Sequence, residues 1–153
     1  MSKKVLITGG NKGIGLAVSR AMLEFGYEII IVARDFDTCP LVGVANVTCI
    51  EYDLSNVDGL PELVKEVGDI DILINNAGYM QPKYTYDNYP KDAREHIMNV
   101  DLYTPVELMN LFSVGMKKRK YGRIVNTASI AGQIGHPDVW YGIAKAGLIN
   151  ATK

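Results

Sequence analysis

Val5-Leu6-Ile7-Thr8-Gly9-Gly10-Asn11-Lys12-Gly13-Ile14-Gly15 runs a short apolar segment straight into a glycine-rich turn. Val5 to Ile7 fits a strand buried on both faces. Downstream, Ile14, Ala17, Val18, Ala21, Met22 and Phe25 recur at helical spacing, and Gly26 stands where a helix C-terminal glycine belongs. Ile29-Ile30-Ile31-Val32 reads as a second buried strand, which completes a strand, turn, helix, strand unit. Glycines in such a turn permit tight curvature, let backbone N–H groups approach a pyrophosphate and allow close helix packing. The helix N-terminus favours the anionic charge. The spacing here is TGxxxGxG, and its position between strand and helix is what makes it a nucleotide-binding signal.

The same alternation continues outward. A strand is expected near Val47 to Tyr52, then a short helix carrying Leu60, Leu63, Val64 and Val67, then a strand from Ile70 to Ile74. A helical stretch follows around Val106 to Met116, then a strand from Ile124 to Thr127. The last stripe holds Trp140, Ile143, Ala144, Gly147, Leu148 and Ala151. Strands alternating with helices predict an α/β fold, a Rossmann-like doubly wound parallel sheet of about five strands with both faces covered. Between Arg34 and Ala45 the chain carries Pro40 and Gly43 and no helical stripe, so that crossover is expected as a loop or a single turn.

With 153 residues the chain makes one domain, 1–153, with a core of several packed strands and helices. Sixteen basic against seventeen acidic residues give a net charge of −1, which offers no global attraction to nucleic acid or to an anionic membrane. No run is long enough to span a membrane, and Lys3 and Lys4 precede a strand rather than a signal peptide, so the sequence reads as cytoplasmic. Cys39 and Cys49 form no CxxC or Cys/His cluster and are expected as buried free thiols, with no metal site.

Tyr141 and Lys145 are four apart, on one face of the last predicted helix. An ammonium close to a phenol favours phenolate and draws the tyrosine down from its reference of about 10 toward neutrality. Such a phenol exchanges a proton with an alcohol or carbonyl oxygen while hydride moves elsewhere.

The glycine turn at 8 to 15, Asp53-Leu54, Asn75-Asn76-Ala77-Gly78, Ser129 and Tyr141-x-x-x-Lys145 stand in one order along the chain. In that order and spacing the whole chain resembles the classical short-chain dehydrogenase/reductase family. The resemblance implies an oxidoreductase that interconverts an alcohol and a ketone or aldehyde. Tyr141 would be its general acid/base, Lys145 would lower the phenol's pKa and hold the nicotinamide ribose, and Ser129 would hydrogen-bond the reacting oxygen in preference to Thr127. It also implies that Gly9, Asn11, Lys12, Gly13, Ile14 and Gly15 cradle the cofactor. Asp53 would receive the adenine amino group, Leu54 would pack beside it, and Asn76, Ala77 and Gly78 would border the adenosine.

A ribose 2′-hydroxyl is usually met by a carboxylate at the end of the second strand, and a 2′-phosphate by cations. That strand ends Val32-Ala33-Arg34, with Ala33 at the carboxylate's place, so Arg34 and Lys12 favour NADP(H); Asp35, turned toward the ribose, keeps NAD(H) open.

The sequence departs from the family pattern twice. Family members commonly carry an asparagine before their long fifth helix that helps hold a water beside the lysine. Aligned through Val100-x-Leu102, that position is Asp101, a candidate for the proton relay. Asn99, about 200° away around a helix, substitutes for it only through a shift of register. The second departure is length. Relatives run to roughly 250 residues, so about a hundred are expected to be missing after the tyrosine helix, which leaves the fifth strand as an edge and the pocket short of one wall. The resemblance further implies homodimers or homotetramers in the full-length form. The alternative reading is a Rossmann module that holds or senses a nucleotide without turnover.

Three further groups carry no assigned role, although His136 and Trp140 could face substrate. Tyr79, Tyr84, Tyr86 and Tyr89, with Met80, Pro82 and Pro90, suit a partly exposed loop, which the resemblance would place near the substrate mouth. Lys117-Lys118-Arg119-Lys120 suits a solvated helix end. His136 and Trp140 lie between Ser129 and Tyr141, and one histidine without a cluster is poor evidence for a metal.

Overall fold

Strands that are apolar at nearly every position need cover on both faces, and their alternation decides which residues meet which cover. The computed structural model describes residues 2–80 and 84–153. Among them, β1 (Lys4–Thr8), β2 (Glu28–Ala33), β3 (Val47–Glu51), β4 (Ile72–Asn75) and β5 (Arg123–Asn126) form one parallel sheet in the order β3-β2-β1-β4-β5. Val5, Ile7, Ile29, Ile31 and Ile74 pack on one face under α1 (Gly13–Glu24), with Cys39 and Leu41 of the crossover. Leu6, Ile30, Val32 and Leu73 pack on the other, against α2 (Leu60–Val67) and α4 (Thr104–Arg119). The doubly wound α/β sheet expected from the sequence is therefore present. The crossover is a series of turns without a helix, as Pro40 and Gly43 indicate.

Two helical stripes differ from expectation. In α1 the buried residues are Gly15 and Ser19, with Leu16, Val18, Met22 and Leu23 against the core, while Ile14 and Phe25 are 70% and 76% exposed. The small residues decide this face. Ser19 Oγ donates to the carbonyls of Gly10 and Gly15, and a larger residue there would hold the helix off the turn. In α5 (Val139–Thr152), Ala144 and Leu148 are buried as expected, but Lys145 joins them and Ile143 is half exposed. Gly26, at φ +80, closes α1 as anticipated, its N–H on the carbonyl of Leu23.

The helix expected around Val106 to Met116 begins much earlier. α3 (Lys91–Met98) leads through a π turn, Asn99–Tyr103, directly into α4. Pro105 accounts for the turn. It has no N–H to give the carbonyl of Asp101 four residues back, and its ring crowds that carbonyl. The ladder shifts by one, so that the Thr104 N–H donates to Asn99 O, five residues back. Thr104 Oγ1 then donates to Leu54 O at 2.6 Å and Asn99 Nδ2 to Ser55 O at 2.9 Å, which tie the turn to the loop after β3.

Candidate active site

All the strands end at one edge of the sheet, and the residues just beyond them line a cleft of about 390 Å³. The strand order reverses between β1 and β4, which opens a crevice there. The two strand ends are tied across it. Thr8 Oγ1 accepts from the backbone N–H groups of Asn76 and Ala77 at 3.0 and 3.1 Å, and Asn76 Nδ2 donates to the carbonyls of Thr8 and Gly9.

The glycine turn has a closed side and an open one. A Cβ at Gly15 would collide with the carbonyl oxygen of Gly9, so α1 starts against the turn only because residue 15 lacks one. Gly13, at φ +55, has no atom within 4 Å of where its Cβ would stand. Open backbone at a helix N-terminus fits the pyrophosphate of a dinucleotide. Gly9, Asn11, Lys12, Ile14 and Gly15 line the cleft, and Gly13 shapes the turn without lining it.

At the far end Arg34 and Asp35 stand on the rim, where Asn11 Nδ2 donates to the Asp35 carbonyl at 2.9 Å. The Asp53 carboxylate accepts from Ser55 N at 2.9 Å. That bond, helped by the nearby charges of His96 and Arg34, holds it below the usual carboxylate range. Leu54, Asn76, Ala77 and Gly78 complete this wall.

At the other end α5 is capped by Asp138, whose carboxylate accepts from Tyr141 N at 3.2 Å. Tyr141 and Lys145, one turn apart, both line the cleft, and Lys145 Nζ lies 5.6 Å from the Tyr141 ring centroid. Nζ donates to Thr127 O at 3.2 Å and pairs with Asp101 Oδ1 at 2.9 Å. The ion pair is deeply buried, with side chains 3% and 0% exposed, and Asp101 Oδ2 accepts from Tyr79 N at 2.9 Å. Among the described residues the ammonium is the sole polar partner of Oδ1. Burial pushes the Asp101 carboxyl up, and the Lys145 charge opposes that rise. Asp101 thus sits behind Lys145 rather than on the cleft wall, and Asn99 points away to Ser55, so the shifted register does not bring it to the lysine.

Ser129 also stays off the wall. Its Oγ accepts from Ala131 N at 3.1 Å and caps a single 3₁₀ turn, Ile130–Gly132. That turn lies tight against α5, where a Cβ on Gly132 would stand 2.6 Å from the carbonyl carbon of Lys145. Thr127 and Ala128 line the cleft beside it.

Sequence reasoning passed over His96 and Val100, which line the cleft one turn apart on the helix begun by α3. Their i, i+4 spacing was the available signal. His96 meets Tyr79 edge-on at 4.4 Å between centroids. Tyr79 and Met80 line the cleft, Tyr86 is exposed, and Pro82 lies outside the described residues. Tyr89 packs on Tyr84 and donates its hydroxyl to Asp138 Oδ1 at 3.0 Å; burial and that bond push its phenol up. His136 Nδ1 accepts from Asp138 N, and its ring lies 5.6 Å from that of Tyr141. Trp140 carries the Arg94 guanidinium over its ring at 5.1 Å.

Among the described residues no group of three His, Cys, Asp or Glu is placed to hold a metal, and no helix is long and apolar enough to cross a membrane. Cys39 is a buried free thiol and Cys49 a half-buried one.

The family model described as short chain dehydrogenase matches residues 3–153. A ketoacyl reductase, HetN, of Nostoc sp. (strain PCC 7120) is 37% identical over 161 residues, a match covering 98% of this chain and 56% of the reductase. An acetoacetyl-CoA reductase of Shinella zoogloeoides is 34% identical, covering 100% of this chain and 66% of the relative. The chain therefore spans between about half and two thirds of the length of these relatives. Among solved structures, a 4-hydroxyisoleucine dehydrogenase complexed with NADH superposes with a TM-score of 0.90 at 27% identity, over 99% of this chain and 66% of that one. A metagenomic short-chain oxidoreductase in complex with NADP superposes with a TM-score of 0.87 at 26% identity, over 97% of this chain and 71% of that one.

Proposed function

The chain belongs to the short-chain dehydrogenase family, and from that premise we propose that it carries the nucleotide-binding and acid/base half of an NADP(H)-dependent oxidoreductase that interconverts an alcohol and a ketone or aldehyde. The observation that carries this reading is that Tyr141 and Lys145 line the same cleft as the glycine turn. The glycine turn would hold the pyrophosphate, Asp53 the adenine, and Lys145 the nicotinamide ribose. A nicotinamide held there supplies or accepts the hydride. Tyr141 holds and releases the proton at its phenol oxygen. By analogy with the family, Ser129 would steady the substrate oxygen once its hydroxyl turns from the short turn it caps toward the cleft, while Asp101 fixes the position of Lys145. Arg34 and Lys12 at the rim, with Ala33 in place of a carboxylate, support a preference for NADP(H). The reductase relatives support a carbonyl as the substrate group. Homodimers or homotetramers, and a cytoplasmic site of action, are part of the same proposal by analogy with the family.

A reading without turnover, in which the domain only holds a nucleotide, is favoured by one observation, the carboxylate that occupies the lysine's ammonium. Acetoacetyl-CoA serves as the probe substrate to separate the two. The enzyme reading expects NADPH absorbance at 340 nm to fall on its addition, and expects Tyr141→Phe to abolish that loss by at least about a hundredfold. Carbonyl reduction that survives Tyr141→Phe rules the assigned chemistry out. NADPH binding with no turnover of any carbonyl offered selects the binding module.

A further inference from the structure

An ammonium promotes phenolate formation through its charge, and Lys145 does not present that charge alone. Its Nζ is 2.9 Å from Asp101 Oδ1, with both side chains almost wholly shielded from water. Seen from the phenol, the ammonium and carboxylate together are a dipole, not a cation. Bulk salt does little to screen a buried pair. We propose that Asp101 is a positioning residue that cancels the charge of Lys145 and so sets the pH range over which Tyr141 exchanges its proton. The inference rests on the roles given above to Tyr141 and Lys145.

The local architecture makes the pair obligatory. The π turn imposed by Pro105 lies just where Asp101 meets α5, and the Tyr79 N–H fixes the second carboxylate oxygen. Gly78 leaves room for the contact, since a Cβ there would stand 3.1 Å from Asp101 Oδ1 and 3.6 Å from Lys145 Nζ. With Nζ also held by Thr127 O, the head group has two fixed acceptors and one orientation.

The other groups around the pair are the same whichever residue stands at 101. From α5 these are Tyr141 and its capping Asp138, which acts on Asp101 as a like charge. From the loop before α5 comes His136, against the Tyr141 ring; from the segment after β4 come Tyr79 and, through Asp138, Tyr89. From α3 comes His96, against Tyr79. They form the common background against which variants at 101 are compared, with Asp138 and the Tyr79 N–H the two that also act on residue 101 itself.

An amide at 101 keeps the size of the side chain and removes its charge. The carboxylate stands behind the ammonium, which is itself 5.6 Å from the Tyr141 ring centroid; a unit charge at roughly 8 Å and an effective dielectric of about 20 moves a titration by roughly one and a half pH units, and relaxation reduces that toward about one. The test follows Tyr141 by 13Cζ-tyrosine NMR, its signal assigned by loss in Tyr141→Phe, in parallel with the pH profile of carbonyl reduction. Asp101→Asn is expected to lower the midpoint of the Tyr141 titration, and of the matching limb of the profile, by about one pH unit. Asp101→Glu, which restores the charge, is expected to return it toward the unaltered value. An unmoved or raised midpoint in Asp101→Asn overturns the proposal. If that variant does not fold, the 13Cγ signal of Asp101 in the unaltered protein decides, since a carboxyl that is neutral between pH 6 and 9 cancels no charge and equally overturns it. The two failures are distinct. Loss of turnover in Tyr141→Phe with no shift in Asp101→Asn defeats this inference alone, whereas retained turnover in Tyr141→Phe defeats the enzyme reading.

Discussion

Arg34 and Gly15 show how much one residue can carry at the nucleotide cleft. Gly15 is needed for what it lacks, because any side chain would strike the Gly9 carbonyl and hold α1 off the turn. Arg34 is needed for its charge at the rim, close enough to contribute to the low position of the Asp53 carboxyl. A 2′-phosphate gains charge-assisted hydrogen bonds from a guanidinium that a 2′-hydroxyl does not. NADPH is therefore expected to bind more tightly than NADH, and Arg34→Ala to weaken NADPH about tenfold while leaving NADH within about twofold. Titration of both nucleotides at one fixed salt concentration checks this. Equal affinities in the unaltered protein would return the choice to Asp35.

At the scale of elements, the π turn between α3 and α4 matters most. The apolar periodicity of α4 was legible, and so were the buried strands, because single-residue alternation and the 3.6-residue repeat are local properties. The turn was not legible, although its cause, Pro105, stood in plain view. A proline four residues after a carbonyl says that the ladder breaks, but not how the backbone makes good the loss. The side chains that hold the turn come from far along the chain. Thr104 Oγ1 reaches the Leu54 carbonyl in a fully buried setting, so Thr104→Val, which keeps the shape and deletes the donor, is expected to cost about 1–2 kcal/mol. Urea unfolding measures it, and an unchanged midpoint with an unchanged slope would show that the bond contributes nothing. Because Leu54 lines the cleft, the same variant is expected to loosen NADPH binding by a few fold.

The whole molecule joins these pieces through one edge of the sheet. β1 to β3 run outward on one side, β4 and β5 on the other, and the cleft lies across the reversal. A nucleotide spanning it would touch the residues after every strand and so bind the folded chain alone. At about a hundred times its Kd, NADPH is expected to add about 2.7 kcal/mol to stability, roughly 5–10 °C in Tm for a domain of this size. Calorimetry with and without NADPH tests this, and Gly15→Ala should remove the increment whatever its own Tm. The outer strand β5 shows what the sheet alone does not cover: Val125, in register with the buried Ile74, is 51% exposed.

By itself the sequence determined the alternation of buried strands and helices that implies a parallel α/β sheet, the place of the glycine turn and the pairing of Tyr141 with Lys145, since each of these patterns is carried by residues within a few positions of one another. It also identified Asp101 as the departure from the family pattern. Only the tertiary structure decided what that departure does. The contact joins a π turn to a helix 44 residues later, with both side chains buried, where the meaning of a carboxylate depends on its nearest charge. The structure likewise decided that Ile14 faces the cleft, that Ser19 packs on the glycine turn and that Ser129 caps a turn beside α5. Periodicity cannot distinguish these outcomes, because long-range packing selects which side of a helix is covered.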